Sequence, residues 1–264
     1  MLETSNYRVA TMSNKVPEAT PVFWAIKIMA TSVGETGADY LAVHVGLGTA
    51  VTGGMMLVLL LSALAGQLRM RGYVPWIYWL AVVLVSVVGT QITDALTDKL
   101  GVSLYASTIA FTLALAVVFA LWYRSEHTLS IHSINTPRRE LFYWAAVLFT
   151  FALGTAFGDL ATEALGLGFL IGVIVFGALI AFVSTLHYAG GNPVLMFWLA
   201  YILTRPLGAS FGDLLSQSRA YGGIGLGTIN TSLLFLVAIA VLVVFASATA
   251  ARTLSTPASK RAAK

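Results

Sequence analysis

Three observations predict an all-α integral membrane protein with eight transmembrane helices, built from four parallel two-helix repeats. The 264-residue chain is 58% hydrophobic and only 10% charged, whereas soluble domains carry about 25% charged residues. Its apolar residues fall into runs of about 20, the length a helix needs to cross ~30 Å of hydrocarbon. A single motif recurs in every second run. The ten-residue alternating strands of a membrane β-barrel are missing.

The predicted spans cover residues 21–40, 47–68, 75–96, 102–123, 141–162, 165–187, 194–215 and 226–249. Residues 1–20 are polar, lack the apolar core of a cleavable signal peptide, and read as a cytoplasmic tail. Residues 251–264 read as a second, basic cytoplasmic tail. Of the basic residues, Arg8, Lys15, Arg69, Arg71, Arg124, Arg138, Arg139, Arg252, Lys260, Arg261 and Lys264 fall on one side of this topology. Only Lys99 and Arg219 lie in the loops of the other. The positive-inside rule then puts both termini in the cytoplasm of a bacterial inner membrane. Anionic headgroups suffice as partners for the basic tails, and no nucleic acid is implied. The chain has no cysteine, which excludes disulfides, thiolate metal sites and a cysteine nucleophile.

The recurring motif is legible without gaps: "FWAIKIMATSVGETGAD", "YWLAVVLVSVVGTQITD", "YWAAVLFTFALGTAFGD" and "FWLAYILTRPLGASFGD". Its frame is an aromatic, a Trp, nine residues, a Gly, four residues and an Asp. Trp24, Trp79, Trp144 and Trp198 are thus in register, as are Gly34, Gly89, Gly154 and Gly208. Asp39, Asp94, Asp159 and Asp213 occupy the last slot, and they are four of the five aspartates in the chain. The repeats cover about residues 21–71, 75–124, 141–189 and 194–250. Because each adds a second, blander helix, successive copies keep one orientation, related by an axis along the membrane normal. A pseudo-fourfold ring or a two-by-two arrangement follows, in a monomer or a homodimer.

These repeats resemble a family of bacterial membrane proteins built from four tandem two-helix repeats of unknown function, each with a characteristic tryptophan. The resemblance covers about residues 15–250, and "KVPEATPVFWAIKIMATSVGETGADYL" looks like its opening. It implies the fold and no activity.

On a helix rising ~1.5 Å per residue, each Gly lies about 15 Å, and each Asp about 22 Å, beyond its Trp. If the Trp residues anchor in the cytoplasmic interface, the Asp residues fall in the outer half of the bilayer. Positions 7, 11 and 15 after Trp share a face: Thr31, Glu35 and Asp39; Ser86, Thr90 and Asp94; Phe151, Thr155 and Asp159; Arg205, Ala209 and Asp213. That stripe is too polar for lipid. Ionisable residues at membrane depth mark functional sites by default, and hard divalent cations prefer carboxylate and hydroxyl oxygens. The predicted binding set is therefore Glu35, Asp39, Asp94, Asp159 and Asp213, with neutral oxygens from Thr31, Ser86, Thr90 and Thr155. Asp98, Glu163 and Gln217 would form an acidic mouth one turn further out, drawing cations in.

Lys27 and Arg205 complicate a cation path, and each is expected to pair with a carboxylate of a neighbouring repeat. Pro206 is the best candidate for a helix break. The glycines read first as helix-packing positions and the aspartates, alternatively, as helix caps. His44, His127, His132 and His187 lack metal-binding spacing and read as surface residues. No P-loop, nucleophile elbow or HExxH is present, so neither ATP drive nor an enzyme is indicated. No built-in cofactor is expected. The expected function is transport of a small cation, above all a divalent metal such as manganese, with protons as the exchanged ion. The alternative is a membrane scaffold or regulatory sensor without transport.

Overall fold

The computed structural model describes residues 14–39 and 48–255. They form eight long helices: α1 (Pro21–Asp39), α2 (Gly48–Arg69), α3 (Pro75–Asp94), α4 (Leu104–Glu126), α5 (Pro137–Asp159), α6 (Gly168–Tyr188), α7 (Pro193–Ser216) and α8 (Thr228–Ser255). Helices α3 and α5 continue into single π-helical turns, Ala95–Lys99 and Leu160–Ala164. Each repeat's first helix starts on a proline, whose fixed φ and missing N–H suit a helix's first turn. Seven of the eight are long and apolar enough to cross a membrane. The expectation of eight needs adjusting at α1, whose apolar stretch is the shorter Pro21–Gly34, because Glu35, Thr36 and Asp39 make its last turn polar.

The first helices of the four repeats close into a ring, α1 on α3, α3 on α5, α5 on α7 and α7 on α1. The second helices lie outside it, each packed on the first helix of the next copy: α2 on α3, α4 on α5, α6 on α7 and α8 on α1. That each hairpin spreads across two neighbours in this way is not encoded in the repeat frame. It explains why the outer helices are bland, since only one edge of each is covered. Thr52, Ser107, Gly172 and Thr231 mark that edge, all buried at equivalent positions.

Two girdles hold the ring, and both obey the repeat. In the first, the aromatic before each Trp packs on the Trp of the next copy. Phe23 meets Trp79 at 5.4 Å between ring centres, Tyr78 meets Trp144 at 5.5 Å, Tyr143 meets Trp198 at 6.2 Å and Phe197 meets Trp24 at 5.5 Å. Three of the tryptophans are at most 5% exposed and only Trp24 is half-buried. The expected role as interfacial anchors is therefore wrong for these three. Flat rings on a closed ring of helices gain more by packing on each other than by facing headgroups.

In the second girdle, the Gly of each copy receives the residue seven after the Trp of the next. Gly34 lies against Ser86, Gly89 against Phe151, Gly154 against Arg205 and Gly208 against Thr31. The packing role expected of these glycines holds. Pro206 does not break its helix, since α7 runs without interruption through it. The Ile202 carbonyl that Pro206 leaves unbonded lies beside Gly154.

Residues 14–20 are not a free tail. Lys15 N–H donates to the Ile134 carbonyl (2.9 Å), Ile134 N–H to Asn14 Oδ1 (3.1 Å), and Tyr73 N–H to the Asn14 carbonyl (3.1 Å). The segment thus stitches the α2–α3 and α4–α5 connections together.

Candidate functional site

The ring turns its stripe inward. Thr31, Ser86, Phe151 and Arg205 are all fully buried, and Thr90 and Thr155 nearly so. Thr90 and Thr155 donate their hydroxyls to the carbonyls one turn back, Ser86 O at 3.1 Å and Phe151 O at 3.0 Å. That leaves their lone pairs available, and Arg205 Nη2 uses one by donating to Thr90. Thr31 donates to Ile28 O at 2.5 Å, and Ser32 donates to Gly208 O on the adjacent α7 at 2.6 Å.

Nearer the Trp end, the positions three after each Trp bring Lys27, Val82, Val147 and Tyr201 to one buried level. Lys27 Nζ lies 4.0 Å from the centre of the Phe151 ring and 4.2 Å from that of Tyr201. It has no hydrogen-bond partner among the described residues. The expected carboxylate partner for Lys27 is thus replaced, among those residues, by two aromatic faces, whose negative quadrupoles attract an ammonium. Arg205 engages Thr90, and its stem fills the space that Gly154 leaves. Below Lys27, Tyr78 and Tyr143 share a hydroxyl hydrogen bond of 2.6 Å, and Trp79 Nε1–H donates to Tyr73 at 3.2 Å. In the α2–α3 connection, burial pushes the Tyr73 hydroxyl up to about 12, with the Trp79 donor opposing it. The Tyr143→Phe variant is expected to lose roughly 1–3 kcal/mol, the usual cost of stranding a buried hydroxyl, here that of Tyr78. Thermal unfolding in detergent measures it.

At the other end, Asp94 and Asp159 are half-buried where α3 and α5 pass into their π-helical turns. Asp213 is half-buried in the last turn of α7. Each is engaged by a neighbour. Among the described residues no three acidic or histidine side chains stand close enough together to hold a metal ion. The side chains of Glu35 and Asp39 lie outside the described residues. Asp98 and Glu163 are exposed, and Gln217 is half-buried after the end of α7.

Three groups escaped the sequence reading. Phe151 stood on the predicted stripe with no role assigned and Tyr201 was not singled out, yet the two hold Lys27 between their rings. The Tyr78–Tyr143 pair was visible as the aromatic before each Trp, but the frame alone does not say that two such residues meet. His132 and His187 are exposed, as expected of surface residues, but the cleft of about 640 Å³ that both line between α1, α6 and α7 was not foreseen.

No curated protein matches the chain, and no solved structure does. Residues 22–73, 77–128, 142–190 and 196–252 each match one repeat of the family described as "Repeat of Unknown Function (DUF347)". With four copies over most of its length, the chain belongs to that family.

Proposed function

We propose that the protein spans the bacterial inner membrane with both termini in the cytoplasm and carries a small cation, above all a divalent metal such as manganese, in exchange for protons. The observation that supports this best is the inward stripe of the closed ring, with hydroxyls at mid-height and a carboxylate at one end of every ring helix. Oxygen donors on equivalent helices suit hard cations. A rearrangement that draws these carboxylates together at low dielectric would raise their proton affinity, so that protons and metal compete for one site. Lys27 and Arg205 then serve as tethered positive charges that balance the carboxylates while no ion is bound. The aromatic girdle fills the Trp end of the axis, so the reading is a carrier that must rearrange, not an open pore.

The experiment is a panel of manganese, magnesium and calcium in proteoliposomes at two pH values. Asp94→Asn and Asp159→Asn should each lower flux roughly 10–100-fold, the range in which supporting groups alter metal affinity, while the melting temperature is kept. Lys27→Met should unfold no more easily than the parent, because a buried charge gives way well to an apolar group of similar shape, yet should change the pH dependence of flux. Wild-type vesicles that move no ion at either pH would sink the transport reading. They would leave the second reading, a scaffold or sensor, which the filled axis favours.

A further inference from the structure

The cleft between α1, α6 and α7 is a departure from fourfold packing. Phe111 and Phe176, both buried, stand 65 residues apart on α4 and α6, the same offset as Trp79 and Trp144. At that offset, Phe119 and Trp122 of α4 correspond to Ser184 and His187 of α6. On α4 the two aromatics fill the groove between α5 and α7. Trp122 is fully buried, stacks parallel to Phe142 and meets Trp198 edge-on at 5.9 Å, and Phe119 meets Trp198 at 5.0 Å. On α6, Ser184 and His187 leave the matching groove between α7 and α1 open, and Trp24 is the one tryptophan of the girdle left half-buried.

We infer that this groove holds a phospholipid with a zwitterionic amine headgroup, one acyl chain lying in the groove. The inference rests on the membrane placement proposed above and not on cation transport. The deep part is apolar, walled by Trp24, Ile28, Val183, Met196, Phe197 and Ala200. An apolar space of this size left empty forfeits the dispersion contacts of every wall atom, and the two hydroxyls that line it, Ser184 and Thr204, already donate to the Ile180 and Tyr201 carbonyls, so water finds few partners there. It is continuous with the outward face of α6, where Leu179, Phe182 and Leu186 are exposed, so acyl chains are what adjoin it. The mouth lies where α1 and α7 begin and is polar: Glu18, Ser130, His132 and His187 line it. Glu18 and His132 are both well exposed, with His132 Nδ1 3.6 Å from Glu18. A carboxylate beside one imidazole, with a second imidazole lining the same mouth, complements an ammonium joined to a phosphate: Glu18 takes the ammonium, and His132 and His187 donate to the phosphate oxygens.

The test uses the full chain purified from membranes in mild detergent, with bound lipid read by native mass spectrometry. Phosphatidylethanolamine, phosphatidylcholine and phosphatidylglycerol are each offered at equal concentration. Wild type should retain one phosphatidylethanolamine in preference to the other two. Ser184→Phe with His187→Trp, which installs the side chains of α4, should lose it while melting no lower. Glu18→Gln, on an exposed side chain that folding does not need, should keep a lipid but lose the preference over phosphatidylcholine. Retention undiminished in the filled variant, equal retention of all three lipids by wild type, or detergent alone in the groove would each overturn the assignment. Recovery of wild type in the soluble fraction would instead overturn the membrane placement and the lipid site with it, leaving the two failures distinguishable.

Discussion

Glu140→Ala is expected to destabilise the fold by roughly 3–5 kcal/mol, the cost of removing one partner from a buried ion pair. Glu140 is 1% exposed and its Oε2 lies 2.5 Å from Lys15 Nζ, itself almost fully buried. Gln67 Nε2 donates to the other carboxylate oxygen at 3.2 Å, and Lys15 Nζ also donates to the Leu68 carbonyl at 3.0 Å. Truncating Glu140 leaves an ammonium in a space built for a neutral pair, with only one carbonyl to hold it. Residues 14–16 should then detach, releasing the stitch between the α2–α3 and α4–α5 connections, and a protease should cut there sooner. The double variant Lys15→Met with Glu140→Leu should recover most of the loss, since apolar side chains of similar volume replace a buried pair at little cost. Unfolding midpoints in detergent decide it. A single-variant loss below ~1 kcal/mol would mean that the pair behaves as a solvent-screened surface bridge.

Nothing in the sequence announced that pair. Lys15 stands in a polar stretch with as many acidic as basic residues, and Glu140 follows two arginines, so neither points to the other as its partner. Their meeting depends on how connections fold back over the ring, which no local pattern encodes. What the repeat did encode was everything tied to equivalent positions. The Trp–Gly–Asp frame placed the inner helices and the buried stripe, because four copies of one pattern have one shared solution. It misjudged the tryptophans because an aromatic near a helix start has two homes, headgroups or a neighbouring helix, and spacing along one helix does not distinguish them. Lys27 was expected beside a carboxylate for a similar reason. Charge alone suggests an opposite charge, whereas Phe151 and Tyr201 offer the ammonium two ring faces. The open groove beside Trp24 was legible in principle, as Ser184 and His187 at positions where α4 has Phe119 and Trp122. Recognising it required knowing which neighbour each outer helix touches.

The second large effect should come from the glycine girdle. A methyl group added at Gly154 would lie 2.5 Å from Arg205 Cβ, and one at Gly89 2.8 Å from Phe151 Cβ. At Gly34 and Gly208 the obstacles are the Ser86 and Thr31 side chains, with the Ile28 carbonyl 2.7 Å away at Gly208. At every joint the obstruction includes an atom on the adjacent helix of the closed ring that no rotamer change removes, a Cβ at Gly34, Gly89 and Gly154 and a backbone carbonyl at Gly208. Relief at one joint has to be taken up at the other three. Gly154→Ala and Gly208→Ala should therefore each cost about 1–3 kcal/mol or more, the range for overpacking, despite alanine's better helix propensity. Gly54→Ala on α2 is the control. Nothing lies within 4 Å of its added methyl group, so the propensity gain of up to ~1 kcal/mol should appear there. Gly154→Ala carries a further signature, because pushing the Arg205 stem away draws its guanidinium from Thr90. Combined with Thr90→Val it should then cost less than the sum of the two single changes, as expected for residues sharing one contact. Additive losses would show that the Gly154–Arg205 contact and the Arg205–Thr90 bond are energetically independent. A stabilised Gly154→Ala would show that the ring is not closed at that joint.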